Sequence, residues 1–110
     1  MTTIPLTKDL YDMLIRYGVD DVVQFTTDAI VLFIEGQDPN LNLDKLPIRP
    51  RPVADLDLVE IEIQLCQADS DCLQALESRN TPNAKAEYVA LVNAIVTEYV
   101  RPLRRAHYSR

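Results

Sequence analysis

The chain reads as an all-α protein: a small bundle of about four helices with a proline-rich connector between helices 2 and 3. Three observations predict it. Apolar residues recur at three- and four-residue spacings over most of the 110 residues, glycine occurs only at Gly18 and Gly36, and four of the seven prolines fall between residues 37 and 54. Long stretches without a breaker favour helix, and clustered breakers mark a single connector.

The first helix covers residues 7–17. Thr7 offers a capping hydroxyl, Leu10, Met13, Leu14 and Tyr17 follow helical spacing, and Gly18 ends the helix in the left-handed conformation. A second helix occupies residues 20–35. Asp20 is its candidate cap and Gly36 its stop, while Val22, Phe25, Ala29, Leu32 and Phe33 share one face. Its many β-branched residues also suit a hairpin turning at Thr27-Asp28, but that turn lacks the glycine a two-residue hairpin favours. Helix is the expectation.

Residues 37–54 are the connector. Pro39, Pro47, Pro50 and Pro52 each remove a backbone donor and push the residue before them toward extended geometry. The run from Leu46 to Pro52 favours polyproline II. Its arginines, Arg49 and Arg51, fit neither common spacing of proline-rich ligands, so the segment reads as a stiff strap crossing the surface.

Residues 55–78 carry two overlapping patterns. Val59, Ile61, Ile63 and Leu65 alternate with Glu60, Glu62 and Gln64, which is the strand signature. Leu58, Ile61, Leu65, Ala68, Cys72 and Ala75 follow helical spacing over the whole stretch, and no Gly or Pro interrupts residues 53–81. The longer pattern predicts a helix, capped by Asp55 or Asp57 and broken near residues 68–71. The last helix opens at Thr81 and Pro82 and carries a broad apolar face of Tyr88, Leu91, Val92, Ile95, Val96, Tyr99 and Val100. Pro102 crowds the carbonyl of Glu98, so the helix is expected to kink or stop near Val100 and a short turn to follow through His107.

A chain this long makes one α-helical domain, residues 1–110, hiding roughly two-thirds of its unfolded surface. Val89, Val92, Val96 and Val100 stand beside the stripe of Tyr88, Leu91, Ile95 and Tyr99. A helix apolar on more than one side predicts a homodimer. The longest apolar run, Ala29 to Ile34, is far short of the ~20 residues a bilayer demands. With no signal-peptide pattern at the start and two cysteines that make no disulfide framework, a cytoplasmic location is the expectation.

The net charge is −6, unevenly spread. Residues 53–78 hold seven acids and no base, whereas Arg101, Arg104, Arg105 and Arg110 crowd the basic tail, residues 101–110. An acidic body makes nucleic acid an unfavoured partner.

Two glycines cannot build a phosphate loop or a dinucleotide fingerprint, and no serine sits in a nucleophile elbow. One histidine and two cysteines do not supply a zinc site. The paired acids Asp55 with Asp57, Glu60 with Glu62 and Asp69 with Asp71 lack the glycine and spacing of a calcium loop, and read as a solvated helix face. On a helix Cys66 and Cys72 stand about 240° apart, unable to bridge, and read as small buried hydrophobes. Neither cofactor nor metal is expected.

The tail remains as a candidate site. Arg101, Arg104 and Arg105 suit carboxylates or phosphates in forked geometry, and His107 and Tyr108 add a polar and an aromatic anchor. Arg101 and His107, with five residues between them, resemble the arginine–histidine motif of HEPN-type ribonucleases, which are small, helical and dimeric. The resemblance covers about seven residues, and this chain departs from it by placing Pro102 inside the motif and only three residues after it. It implies an RNA-cleaving alternative with Arg101, Arg104 and His107 facing phosphate. The leading expectation is a non-enzymatic protein–protein interaction module, an adaptor, assembly factor or regulator whose partner is another protein or a second copy.

Overall fold

The computed structural model describes residues 2–37, 39, 41, 42, 44–46, 48–78 and 83–108, with side chains through residue 102. It is an α/β arrangement, not the all-α bundle expected: two antiparallel strands and four helices.

The chain opens with strand β1, Thr2–Thr7, where no element was expected. Thr7 ends the strand and caps helix α1, Lys8–Arg16, its hydroxyl accepting from the Leu10 N–H at 3.3 Å. Gly18 follows at φ 85°, the left-handed stop anticipated for it. Helix α2 spans Val22–Ile34, so the hairpin alternative falls away. Its cap is Asp21, one residue later than expected, whose carboxylate accepts from the Gln24 N–H. Gly36 stops it at φ 66°.

The described residues of the strap before the 3-10 turn at Val53–Asp55 belong to no helix or strand. Residues 55–78 are not one helix. Leu58–Ile63 form strand β2, and Gln67–Glu77 form helix α3, with Cys66 at its N-cap. The alternating reading was the right one for the first half. Here Ile61 and Ile63 turn inward and Glu60 and Glu62 outward, and β1 supplies the ladder that a lone alternating segment lacks. The paired acids therefore share no helix face, and Asp69 is buried. Cys66 and Cys72 are both exposed, not buried as expected, because the helix begins only after Cys66 and Cys72 lies on its outer side.

Helix α4 spans Ala84–Tyr108. The cap and opening assigned to Thr81 and Pro82 lie outside the described residues. Helix continues past Pro102 to Tyr108, so it does not stop near Val100. The proline ring's fixed φ suits helix, so its cost is one missing bond to the Glu98 carbonyl and local crowding. Both apolar stripes of α4 are covered by the chain itself: Tyr88, Val89, Leu91, Val92, Ile95, Val96 and Val100 are all buried. Strand residues Ile4, Leu6, Ile61 and Ile63 face them, with Ala29 and Ile30 of α2 and Leu10 and Leu14 of α1 closing the core. Phe25 and Tyr99 meet at a ring separation of 4.8 Å, tying α2 to α4. Of the two stripes only Tyr99 is partly exposed, which leaves little for a second copy to cover.

Register decides which strand backbone is free. Thr2 pairs with Ile63 and Thr7 with Leu58. The Lys8 N–H donates to the Asp57 carbonyl at 2.8 Å, so the mutually bonded pairs lie at two-residue steps from it: Leu6 with Val59, Ile4 with Ile61, Thr2 with Ile63. Between them, Thr3, Pro5 and Thr7 on β1, and Leu58, Glu60 and Glu62 on β2, turn their backbone groups away from the partner strand.

Candidate functional site

The outer edge of β1 is closed by a side chain. Asn93 of α4 accepts from the Thr7 N–H at 2.8 Å through Oδ1 and donates through Nδ2 to the Pro5 carbonyl at 2.9 Å. A second bond from Nδ2 reaches the Val89 carbonyl in its own helix at 2.7 Å. The amide thus imitates one residue of a neighbouring strand, and Pro5 has no N–H to leave unmet. This stretch of the β1 edge is thereby protected from unwanted pairing.

Next to Asn93 the helix surface drops. Ala86, Ala90, Ala94 and Thr97 follow at three- and four-residue steps, so one face of α4 carries only small side chains. The strap passes opposite, with Arg49, Arg51 and Leu56. Between them lies a mostly apolar cleft of about 230 Å³. That volume is below the ~300–1,000 Å³ of ordinary small-molecule pockets and accommodates one or two side chains of a docking chain. Arg49 and Arg51 are exposed, and neither has an ion pair or a side-chain hydrogen bond among the described residues. Two unneutralised guanidinium groups therefore flank an apolar floor, which favours a segment that is acidic and partly apolar.

A broader depression of about 500 Å³ lies between α1 and the start of α2, reaching Ile61. Ile15 and Val23, the large apolar side chains most open to solvent, stand on it at 53% and 45% exposure, beside Asp20 and Asp21. On the sheet, the outward backbone of Glu60 and Glu62 has no hydrogen-bond partner among the described residues, and both carboxylates are exposed. The β2 edge is open at Glu60 and Glu62, whereas Asn93 closes the β1 edge at Pro5 and Thr7.

The tail residues are placed only in part. Arg101 is exposed and pairs with Glu98 one turn back at 3.1 Å, an exposed contact contributing about 0.2–1 kcal/mol. Arg104, Arg105, His107 and Tyr108 continue α4, and their side chains lie outside the described residues. Positions 101 and 107 stand about 240° apart around the helix axis. The structure does not bring them together with Arg49 or Arg51 into one described site.

Among the described residues, no group of three His, Cys, Asp or Glu stands close enough to hold a metal ion. None of their helices is long and apolar enough to cross a membrane. Among the described residues the one strongly displaced proton is on the Tyr88 phenol, held well above its usual range by burial, with the Glu77 carboxylate adding to the effect.

Sequence reasoning missed Asn93, the small-residue face and the role of Arg49 and Arg51. The available signal was the four-residue repeat of Ala86, Ala90 and Ala94 in an otherwise bulky helix. Comparison of the chain with protein-family models, with curated proteins and with solved structures gives no match.

Proposed function

We propose that the chain is a non-enzymatic protein–protein interaction module, an adaptor or regulator, that holds an acidic, partly apolar segment in the cleft between α4 and the strap. One observation carries the reading: two exposed arginines, without carboxylate partners among the described residues, stand over a floor of small side chains. Small residues let a docking backbone approach closely, and guanidinium groups supply direction and selectivity for carboxylates. The C-terminal arginines are proposed as a second, flanking contact for the same kind of surface.

The test is selection of random peptides displayed on phage against the purified chain, with Ala90→Trp as counter-target. Expected are peptides that place Asp or Glu beside an apolar residue and whose affinity falls at least about tenfold when tryptophan fills the cleft. Peptides that bind the variant equally well place the site elsewhere, and selection of basic peptides refutes the charge argument. The ribonuclease alternative has its own readout: cleavage of single-stranded RNA that disappears in His107→Ala would replace this reading with an enzymatic one.

A further inference from the structure

Two unfinished features of this chain have matching chemistry. The strap, residues 48–52, reads Ile48-Arg49-Pro50-Arg51-Pro52 and lies exposed along residues 49–52, with Pro52 in the extended region at φ −53° and ψ 127°. The backbone N–H groups of Arg49 and Arg51 make no hydrogen bond among the described residues. Its prolines occupy alternate positions, so once the strap takes up strand geometry against a partner edge, every missing N–H falls on one side and both arginine N–H groups on the other. The β2 edge presents the complement: outward carbonyls and N–H groups at Glu60 and Glu62, again at alternate positions, with exposed carboxylates on the solvent face.

We propose that the strap of one copy pairs antiparallel with the open β2 edge of a second copy, so that Arg49 stands opposite Glu62 and Arg51 opposite Glu60. The inference goes beyond the cleft reading: it uses the backbone edge of the strap and not the floor of small side chains on α4. In that alignment Arg51 and Glu60 exchange both backbone bonds, as do Arg49 and Glu62. Pro50 falls opposite Ile61, where a ladder residue needs no N–H toward its partner. Its ring lies on the Ile61 side of the sheet, toward the depression where Ile15 and Val23 are exposed. Pro50 and Pro52 turn a donor-free edge outward, so pairing stops at the strap and does not propagate into a fibre.

Charge selects this occupant over the simpler one. Pairing of β2 with β2 of a second copy brings the carboxylates of Glu60 and Glu62 against one another, with no base anywhere in residues 53–78 to relieve them. The strap brings two positive charges to the same places. In a twofold dimer the contact forms twice, once in each direction.

The experiment is a charge exchange read by analytical ultracentrifugation at low salt. Arg49→Glu/Arg51→Glu and Glu60→Arg/Glu62→Arg are made as separate chains, each checked by circular dichroism for an unchanged fold. All four positions are exposed, so both variants are expected to fold. The unaltered chain is expected to dimerise, each variant alone to lose dimerisation at least about tenfold, and the one-to-one mixture to recover it, since both contacts between unlike variants are again complementary. An unaltered chain that stays monomeric up to about millimolar concentration overturns the inference. So does a mixture no better associated than its components. Neither result touches the cleft reading, which is tested separately by peptide selection and Ala90→Trp.

Discussion

Asn93→Ala removes the side chain that closes β1 against α4. Three hydrogen bonds disappear, at 2.8, 2.9 and 2.7 Å. Two of them join segments more than eighty residues apart in sequence, whereas the bond to Val89 is local to the helix. At about 0.5–1.5 kcal/mol net for each bond, with part of the loss returned by water reaching this half-buried edge, destabilisation of about 2–3 kcal/mol follows. That is a large share of the ~5–15 kcal/mol that holds such a domain together. With a urea slope of about 1.5 kcal/mol per molar for a chain of this size, the unfolding midpoint falls by about 1.3–2 M. Thr97→Val is the control: its hydroxyl donates to the Asn93 carbonyl at 2.6 Å but is exposed, and its loss is expected to cost less than about 0.5 kcal/mol. Hydrogen exchange gives a second readout, because the Thr7 amide loses its only acceptor and exchanges faster in the Asn93 variant than in an equally destabilised core variant. A midpoint shift below about 0.3 M, or a Thr7 amide as protected as before, would refute the strand-mimic argument.

Two further perturbations follow from unmet polar groups in the core. Thr26 is fully buried and its hydroxyl has no hydrogen-bond partner, so Thr26→Val, which keeps the shape and removes the stranded oxygen, is expected to raise stability by about 0.5–1 kcal/mol in urea unfolding; a loss of stability would show that the hydroxyl is satisfied in solution. The Tyr88 phenol is buried without a partner, and burial first and the Glu77 carboxylate second hold its proton above the usual value of 10.0. The folded state therefore keeps the proton to higher pH than the unfolded state does. The associated stability is fully present below pH 10 and is lost as the pH rises above it, so the stability of Tyr88→Phe relative to the unaltered chain should increase as the pH climbs past 10. Parallel stability curves for the two proteins above pH 10 would reject that assignment.

Local signals were readable where local physics decides. Thr7, Gly18 and Gly36 act on neighbours within four residues, and each does in the structure what its chemistry dictates. The strands were hidden because their partner lies far along the chain. Leu58–Ile63 alternates plainly, yet the same residues also satisfy a helical spacing, and only pairing with Thr2–Thr7 breaks the tie. Thr2–Thr7 itself contains Pro5, which reads as a strand breaker until the register shows its nitrogen facing away from β2 and Asn93 meeting its carbonyl. The site has the same history. Arg49 and Arg51 were legible as charges on a stiff strap, and Ala86, Ala90 and Ala94 as part of a helix, but a cleft exists only once the strap crosses that face. Glu60 and Glu62 looked like solvated helix acids, and moving them onto a strand changes what they are. Carboxylates on an unpaired edge repel a second acidic edge and attract a basic one, so the same two residues guard against self-stacking of β2 and advertise for an arginine-bearing strand. The homodimer first expected from the apolar faces of α4 loses that support, since those faces are buried within the chain. Self-association now rests on whether the Arg49/Arg51 strap and the Glu60/Glu62 edge find each other.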